Sequence, residues 1–352
     1  MKKIFTLIVL AGLTLSAAAQ LESGFYRIQN VTSQRYIVMY DPYVLVNKAT
    51  GTVNLDALQT IYDFKKVRSH MGSVWYMEDK GNSQYDLHCQ HSSLGANSDG
   101  FYPKLWATGD SYRIYGEYSG FTKYLYDMDD MYDDGYVSIV QSDNISWQFV
   151  PIGGDNYVGI APEVSADGHY WATFMSGFPF TLGSGMKAYK VTNITDHGFA
   201  MEEIGSEIPA KMPVLIRLNG SSPSENRITI KKNSSASVSG NLLYGVWYSS
   251  ELGGRHEDYN VSCDSNKRIL GKSGGRLAFV KGSGLIEHNR GYIEVSSNAD
   301  EAIIESTSGI YSVTKEEVTE KGLYTLTGLK VPDGTTPSSG IYIKDGKKVI
   351  IK

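Results

Sequence analysis

Cysteine is nearly absent: Cys89 and Cys263 are the two in 352 residues. They stand 174 positions apart, which excludes the dense framework of a small disulfide scaffold. Spacing alone does not bring two sulfurs within bonding geometry, so both are expected as free thiols that pack like small hydrophobes. Proline is scarce at 10 residues, against 37 glycines. With 41% hydrophobic residues, that composition excludes collagen-like and disordered chains. Basic charge is short as well. The formal net charge is −5, and −7 without Lys2 and Lys3. Phosphate backbones need a basic surface, so nucleic acid is not expected as a partner. Long apolar runs are missing too, so no transmembrane anchor is expected.

What is present begins with an address. Lys2 and Lys3 form a short positive region, Ile4 to Leu15 is apolar or small, and Ser16-Ala17-Ala18-Ala19 offers a small-residue cleavage site. Residues 1–19 are therefore expected to be a signal peptide. The protein is expected to be secreted or held at the outer cell surface.

The remainder alternates. GFYRIQNV from Gly24, SVWYMED from Ser73, SYRIYGEY from Ser111 and MPVLIRLN from Met212 are short segments rich in Tyr, Val, Ile and Phe. Gly, Asn, Asp and Ser bound them, as expected for strands and turns. Lys344-Asp345-Gly346-Lys347 centres on Asp-Gly, a strong hairpin signal. The fold class read from this pattern is all-β.

An irregular repeat covers 21–152. Tyr26-Arg27-Ile28 is followed ten residues later by Tyr36-Ile37-Val38, and Trp75-Tyr76-Met77 by Tyr85-Asp86-Leu87 at the same interval. Tyr112-Arg113-Ile114 is followed twelve residues later by Tyr124-Leu125-Tyr126. Three such units can close into one barrel that none of them builds alone. On that reading Tyr26, Trp75 and Tyr112 are equivalent, and Ile145 to Ile152 is the closing strand.

These cycles, with the terminal Ser146-Trp147-Gln148-Phe149-Val150-Pro151-Ile152, resemble a ricin-type β-trefoil. The resemblance covers about 130 residues. It implies shallow carbohydrate pockets, one per repeat. Where a sugar-binding repeat of that family carries Asp, this chain has Val38, Leu87 and Tyr126.

Residues 155–306 are expected to form an antiparallel, sandwich-like β domain with its own core, including Val214, Leu215 and Ile216. The strand set from Tyr170, the Ile208-Pro209-Ala210 turn before Val214-Leu215-Ile216, and the late Leu270-Gly271-Lys272 to Gly291-Tyr292-Ile293 stretch resemble a β-rich module of secreted Bacteroidales proteins. Residues 308–352 form a third unit. Leu323, Tyr324, Gly328, Val331, Gly340, Ile341, Tyr342 and the basic run from Gly346 resemble a short type IX secretion sorting domain. That resemblance implies a small β-hairpin tail.

His88-Cys89-Gln90-His91 is the densest ligand cluster, but alternation sends His88 and Cys89 to opposite faces of a strand. Gly271-Lys272-Ser273 lacks the leading glycine of a phosphate loop, since Asn266 stands there. Gly183-Ser184-Gly185 and Gly282-Ser283-Gly284 lack the spacing of a nucleophile elbow. No catalytic residue, cofactor or metal site is assigned.

Tyr124 to Tyr136 holds five aspartates, Asp127, Asp129, Asp130, Asp133 and Asp134, interleaved with Tyr126 and Tyr132. A solvated acidic hairpin loop, a calcium site and a sugar-binding surface all fit this composition. Trp106 is expected to join a binding surface and Trp75 to pack in the core. The candidate ligand-binding set is Tyr126, Asp127, Asp129, Tyr132 and Trp106. The expected function is non-catalytic binding, with a glycan or a surface protein as partner. The alternative is a structural or adhesion protein, or a trefoil-type inhibitor of a protein partner.

Overall fold

The computed structural model describes residues 21–40, 45–47, 52–54, 58–61, 63–90, 92–94, 103–118, 120–128, 135–142, 145–195, 198–249, 259–296, 299–305, 322–325, 330–332, 334–335, 337–344 and 347–351. The signal-like segment 1–19 lies outside them. The protein is all-β: 54% of the described residues are strand and 3% helix. The chain divides into two compact units, 1–305 and 306–352.

Strands β1 (Gly24–Asn30), β2 (Tyr36–Met39), β3 (Leu45–Asn47), β4 (Thr52–Asn54) and β5 (Leu58–Ile61) come first. Next are β6 (Trp75–Gly81), β7 (Gln84–Cys89), β8 (Ser92–Leu94) and β9 (Lys104–Thr108). Then follow β10 (Ser111–Tyr118), β11 (Phe121–Met128), β12 (Gly135–Val140) and β13 (Trp147–Pro151). Six of these pair around a closed circuit, β1–β6–β7–β9–β10–β13 and back to β1. Closure removes the open edges that a flat sheet would expose. Ile28, Met77, Leu87, Leu105, Ile114 and Phe149 point into one core. Trp75 and Trp147 are fully buried there, and each indole N–H donates to a backbone carbonyl, of Ile37 at 3.3 Å and of Leu125 at 3.1 Å.

The register corrects the expected repeat. Trp75 is not equivalent to Tyr26; it lies directly across from it, and Trp147 lies across from Tyr112 in the same way. The physical reason is a hairpin. Asn82 and Ser83 have φ of 52° and 58°, the positive values of a tight two-residue turn that folds β6 directly onto β7. The ten-residue interval from Trp75 to Tyr85 therefore joins neighbouring units. Strands β1, β7 and β10, which carry Tyr26, Tyr85 and Tyr112 near their starts, take every second place around the circuit.

Strands from 158 to 304 form two further sheets. One has four strands, ordered Val158–Gly159, Arg227–Ile230, Phe180–Leu182 and Glu207–Ile208. The other has ten. Their pairings are antiparallel except one: Gly198–Ile204 runs parallel to Glu301–Ile304. The expected purely antiparallel arrangement is corrected there. Leu215 packs with Phe199 and Phe279 in one core. Val214 and Ile216 pack in another, and that core includes Met71, Val74 and Tyr76 from the first region.

Other side chains tie the two regions together. Tyr248 is fully buried in the core of the closed circuit, and its hydroxyl meets Met39 Sδ at 3.7 Å. A Cβ on Gly177 would lie 2.4 Å from the backbone of Gln90, so only glycine permits that approach. Arg27 is wholly buried and pins the connecting segment, donating to Asn156 Oδ1 at 2.6 Å, Asn156 O at 3.1 Å and Ser73 Oγ at 3.1 Å. Burial lowers its pKa to about 9, and those acceptors hold the guanidinium in place.

In the unit 306–352, Leu323–Thr325, Gly340–Lys344 and Lys347–Ile351 form a three-stranded antiparallel sheet. Lys344 pairs with Lys347; the Asp345-Gly346 pair expected to turn between them lies outside the described residues.

Candidate functional site

Period-two alternation decides what β9, β10 and β11 show to solvent. Leu105, Ile114 and Leu125 face inward and are buried. Their neighbours Trp106, Arg113, Tyr115, Tyr124 and Tyr126 face outward. Trp106 pairs across to Arg113, and Tyr115 pairs across to Tyr124. Trp106 is 53% exposed, unusual for so large a ring. The Arg113 guanidinium sits 5.3 Å from its ring centre, which holds the ring on one side and adds a cation–π attraction. Tyr115 and Tyr124 have ring centres 5.9 Å apart and planes 36° apart. Tyr126 is half-buried, opposite Ser138 on β12. The result is a row of aromatic faces bordered by Lys104, Arg113 and Glu117. Such a surface packs flat C–H faces, and its polar edges bond hydroxyls.

Two of the expected site residues, Trp106 and Tyr126, share this face. Asp127 does not. One residue further along β11 it turns inward and is buried. Arg35 Nη2 donates to its Oδ1 at 3.0 Å and Nε to its Oδ2 at 3.2 Å. Thr60 Oγ1 donates to Oδ1 at 2.7 Å, and the Ser33 hydroxyl donates to Oδ2. Its oxygens are committed to joining β11 to β5 and to the turn after β1. Asp129 and Tyr132 lie outside the described residues. Arg113, Tyr115 and Tyr124 were missed from sequence. The alternation from Trp106 and Tyr126 was the available signal, but the cross-strand register that unites them was not.

Cys89 and Cys263 are both free, and Cys89 is fully buried. Burial raises its thiol well above the ordinary range, which makes it inert as a nucleophile. His88, on the other face of β7, joins Glu78 and Asp86 in a group whose ligand atoms lie within 4.8 Å of one another. Glu78 and Asp86 stand directly opposite, a repulsive pairing. Lys80 relieves it, reaching both carboxylates at 3.5 Å, and Lys232 reaches Glu78 at 3.5 Å. Partial burial pushes Glu78 up, but Lys232 and Lys80 together bring its pKa below the ordinary carboxylate range. The two lysines thereby balance the charge of the carboxylate pair.

No family model, curated protein or solved structure matches the chain. Among the described residues no helix is long and apolar enough to cross a membrane.

Proposed function

We propose that this is a secreted, non-catalytic glycan-binding protein whose ligand lies across the outer face of β9 to β12. The observation that carries the reading is Trp106: a half-exposed indole braced by Arg113, on the same face as the Tyr115–Tyr124 pair and diagonal to it. A ring held in place before binding loses little entropy when a sugar stacks on it. The same reading takes 21–152 as β-trefoil-like, supported by the closed six-strand circuit and the tyrosine near the start of each alternate strand. It takes 155–306 as sandwich-like, supported by two packed sheets, and the tail as a short sorting domain. Export follows from the signal-like segment 1–19. A glycan array probed with the purified protein and with Trp106→Ala tests the proposal. Glycans retained by the protein and lost by the variant support it. An array on which the two give the same signals removes the outer face as the site.

A further inference from the structure

Arginines gather where the segment after β5 meets the strand Val158–Gly159. Asp63 caps the single helical turn Phe64–Val67, accepting the Lys65 N–H at 2.8 Å, and Arg68 closes the turn with its backbone N–H on Phe64 O at 3.1 Å. A spacing of four along the turn lays the Arg68 guanidinium over the Phe64 ring, 4.2 Å from its centre. Further on, His70 anchors the segment, its ring stacked on that of His288 with 3.7 Å between centres. The Gly159 N–H donates to Arg68 O at 3.0 Å, while Gly159 pairs across to Arg227 in the neighbouring strand. The strand therefore runs between the two arginines. Tyr157, just before it, packs against both: the Arg68 guanidinium is 4.7 Å from its ring centre and that of Arg227 is 4.2 Å away. Arg27 lies 5.8 Å from the Phe64 ring.

This charge is not balanced. Among the described residues, Arg27, Arg68 and Arg227 form no ion pair with a carboxylate, and Arg27 and Arg227 donate to neutral acceptors. Arg227 Nε donates to Ser224 O at 3.0 Å and Nη1 to Gly154 O at 3.1 Å, which steadies the side chain and leaves Nη2 unused. The Arg68 side chain makes no hydrogen bond among the described residues. Its Nε is sealed, but its two Nη atoms reach solvent, as does the Tyr157 hydroxyl, and none of the three has a partner there. Asp63 and Asp155, the carboxylates nearest in sequence, are both exposed and pair with none of these groups. Lys65 and Lys66 add exposed cations on the same turn. Tyr157 and Arg227 also line a cleft of about 240 Å³, whose other walls include Phe25, Ile152, Val158 and Ile228. That is room for one apolar ring. The unused donors and the cleft meet at Tyr157.

We propose that this site binds a small phosphate or sulfate monoester. The oxyanion accepts from the Arg68 fork, from Arg227 Nη2 and from the Tyr157 hydroxyl, and the organic group lies in the cleft. Two rings packed against Arg68 hold its planar fork ready, which lowers the entropy lost on binding. Three separate donor groups suit an anion with three terminal oxygens better than a carboxylate with two. This site stands whether or not the outer face binds glycan.

The test is isothermal titration of the purified protein with phenyl phosphate, phenyl sulfate and phenol at constant ionic strength. One or both esters should bind at least about tenfold more tightly than phenol, which lacks the anion. Binding of both supports a general oxyanion site, and binding of one supports the site and identifies the ester. Affinity should fall as salt is added. Arg68→Gln should weaken the ester at least about fivefold, and Arg68→Lys, which keeps the charge without the fork, about threefold. Arg227→Gln, an exposed change, should weaken it about threefold with the melting temperature held. Trp106→Ala should change nothing here. No binding of either ester, equal binding of phenol, or full affinity in Arg68→Gln or in Arg227→Gln overturns the proposal, as does a loss in Trp106→Ala. Ester binding that survives when the outer face binds no glycan supports this site and removes only the outer-face reading.

Discussion

Asp127→Ala separates a structural aspartate from a ligand-binding one. The carboxylate sits in a buried ion pair with Arg35, whose side chain is 8% exposed against 2% for Asp127. Removing it leaves a buried guanidinium facing an emptied site, and strips Thr60 and Ser33 of their acceptor. Breaking one side of a buried pair costs about 3–5 kcal/mol. For a cooperative unit of nearly 300 residues, each kcal/mol lowers the melting temperature by about 2 °C, so the expected fall is roughly 6–10 °C. Circular dichroism melts of protein and variant measure it, with Asp127→Asn as a gentler partner. Glycan affinity, measured well below both transitions, should stay the same. A melting change under about 2 °C together with lost binding would refute the structural role.

Two further outcomes follow from the packing and the titrating groups. Tyr248→Ala empties a fully buried ring site between the regions and should cost about 3–5 kcal/mol. Hydrogen exchange should show protection falling in both β1–β13 and 158–304; a loss confined to one of them would contradict the shared core. Burial, with Arg290 adding, lowers His288 from 6.5 to about 4. The unfolded state therefore binds the proton first. This contribution is complete above pH 6.5 and is lost as the pH falls toward 4, by about 3 kcal/mol. Glu163, raised by burial, works in the opposite direction. Urea melts from pH 7.5 to 4 should show the decline, and His288→Phe should flatten it. A wild-type midpoint that holds steady over that range would contradict the neutral histidine stack.

The all-β class was legible because alternation and turn residues act locally. GFYRIQN, SYRIYGEY and the paired strands Gly340–Lys344 and Lys347–Ile351 carry their own signals in neighbouring residues. Trp75 was legible as core for the same reason: a large ring within an apolar strand rarely finds solvent. Register was not legible. The interval from Trp75 to Tyr85 equals that from Tyr26 to Tyr36, yet one spans a tight hairpin between adjacent strands of neighbouring units and the other a looser turn. Asp127 misled because five aspartates in a row of thirteen residues read as one loop. The first of them is the last inward position of a strand, and its partners Arg35 and Thr60 are 92 and 67 residues away in sequence. The stacked His70 and His288 were invisible for that reason too, since long-range packing alone brings them together.

The central claim is that exposed aromatics on β9 to β11 bind sugar. The most direct measurement is the affinity of the protein and of Trp106→Ala for the strongest oligosaccharide found on an array, by isothermal titration. Removing the half-exposed indole should weaken binding at least about tenfold, or 1.4 kcal/mol, because aromatic anchors dominate such contacts. The melting temperature should stay within about 2 °C, since Trp106 adds little to the core. Tyr115→Ala and Tyr124→Ala should give smaller losses along the same row. Full affinity in Trp106→Ala, in a protein that still folds, would contradict the account.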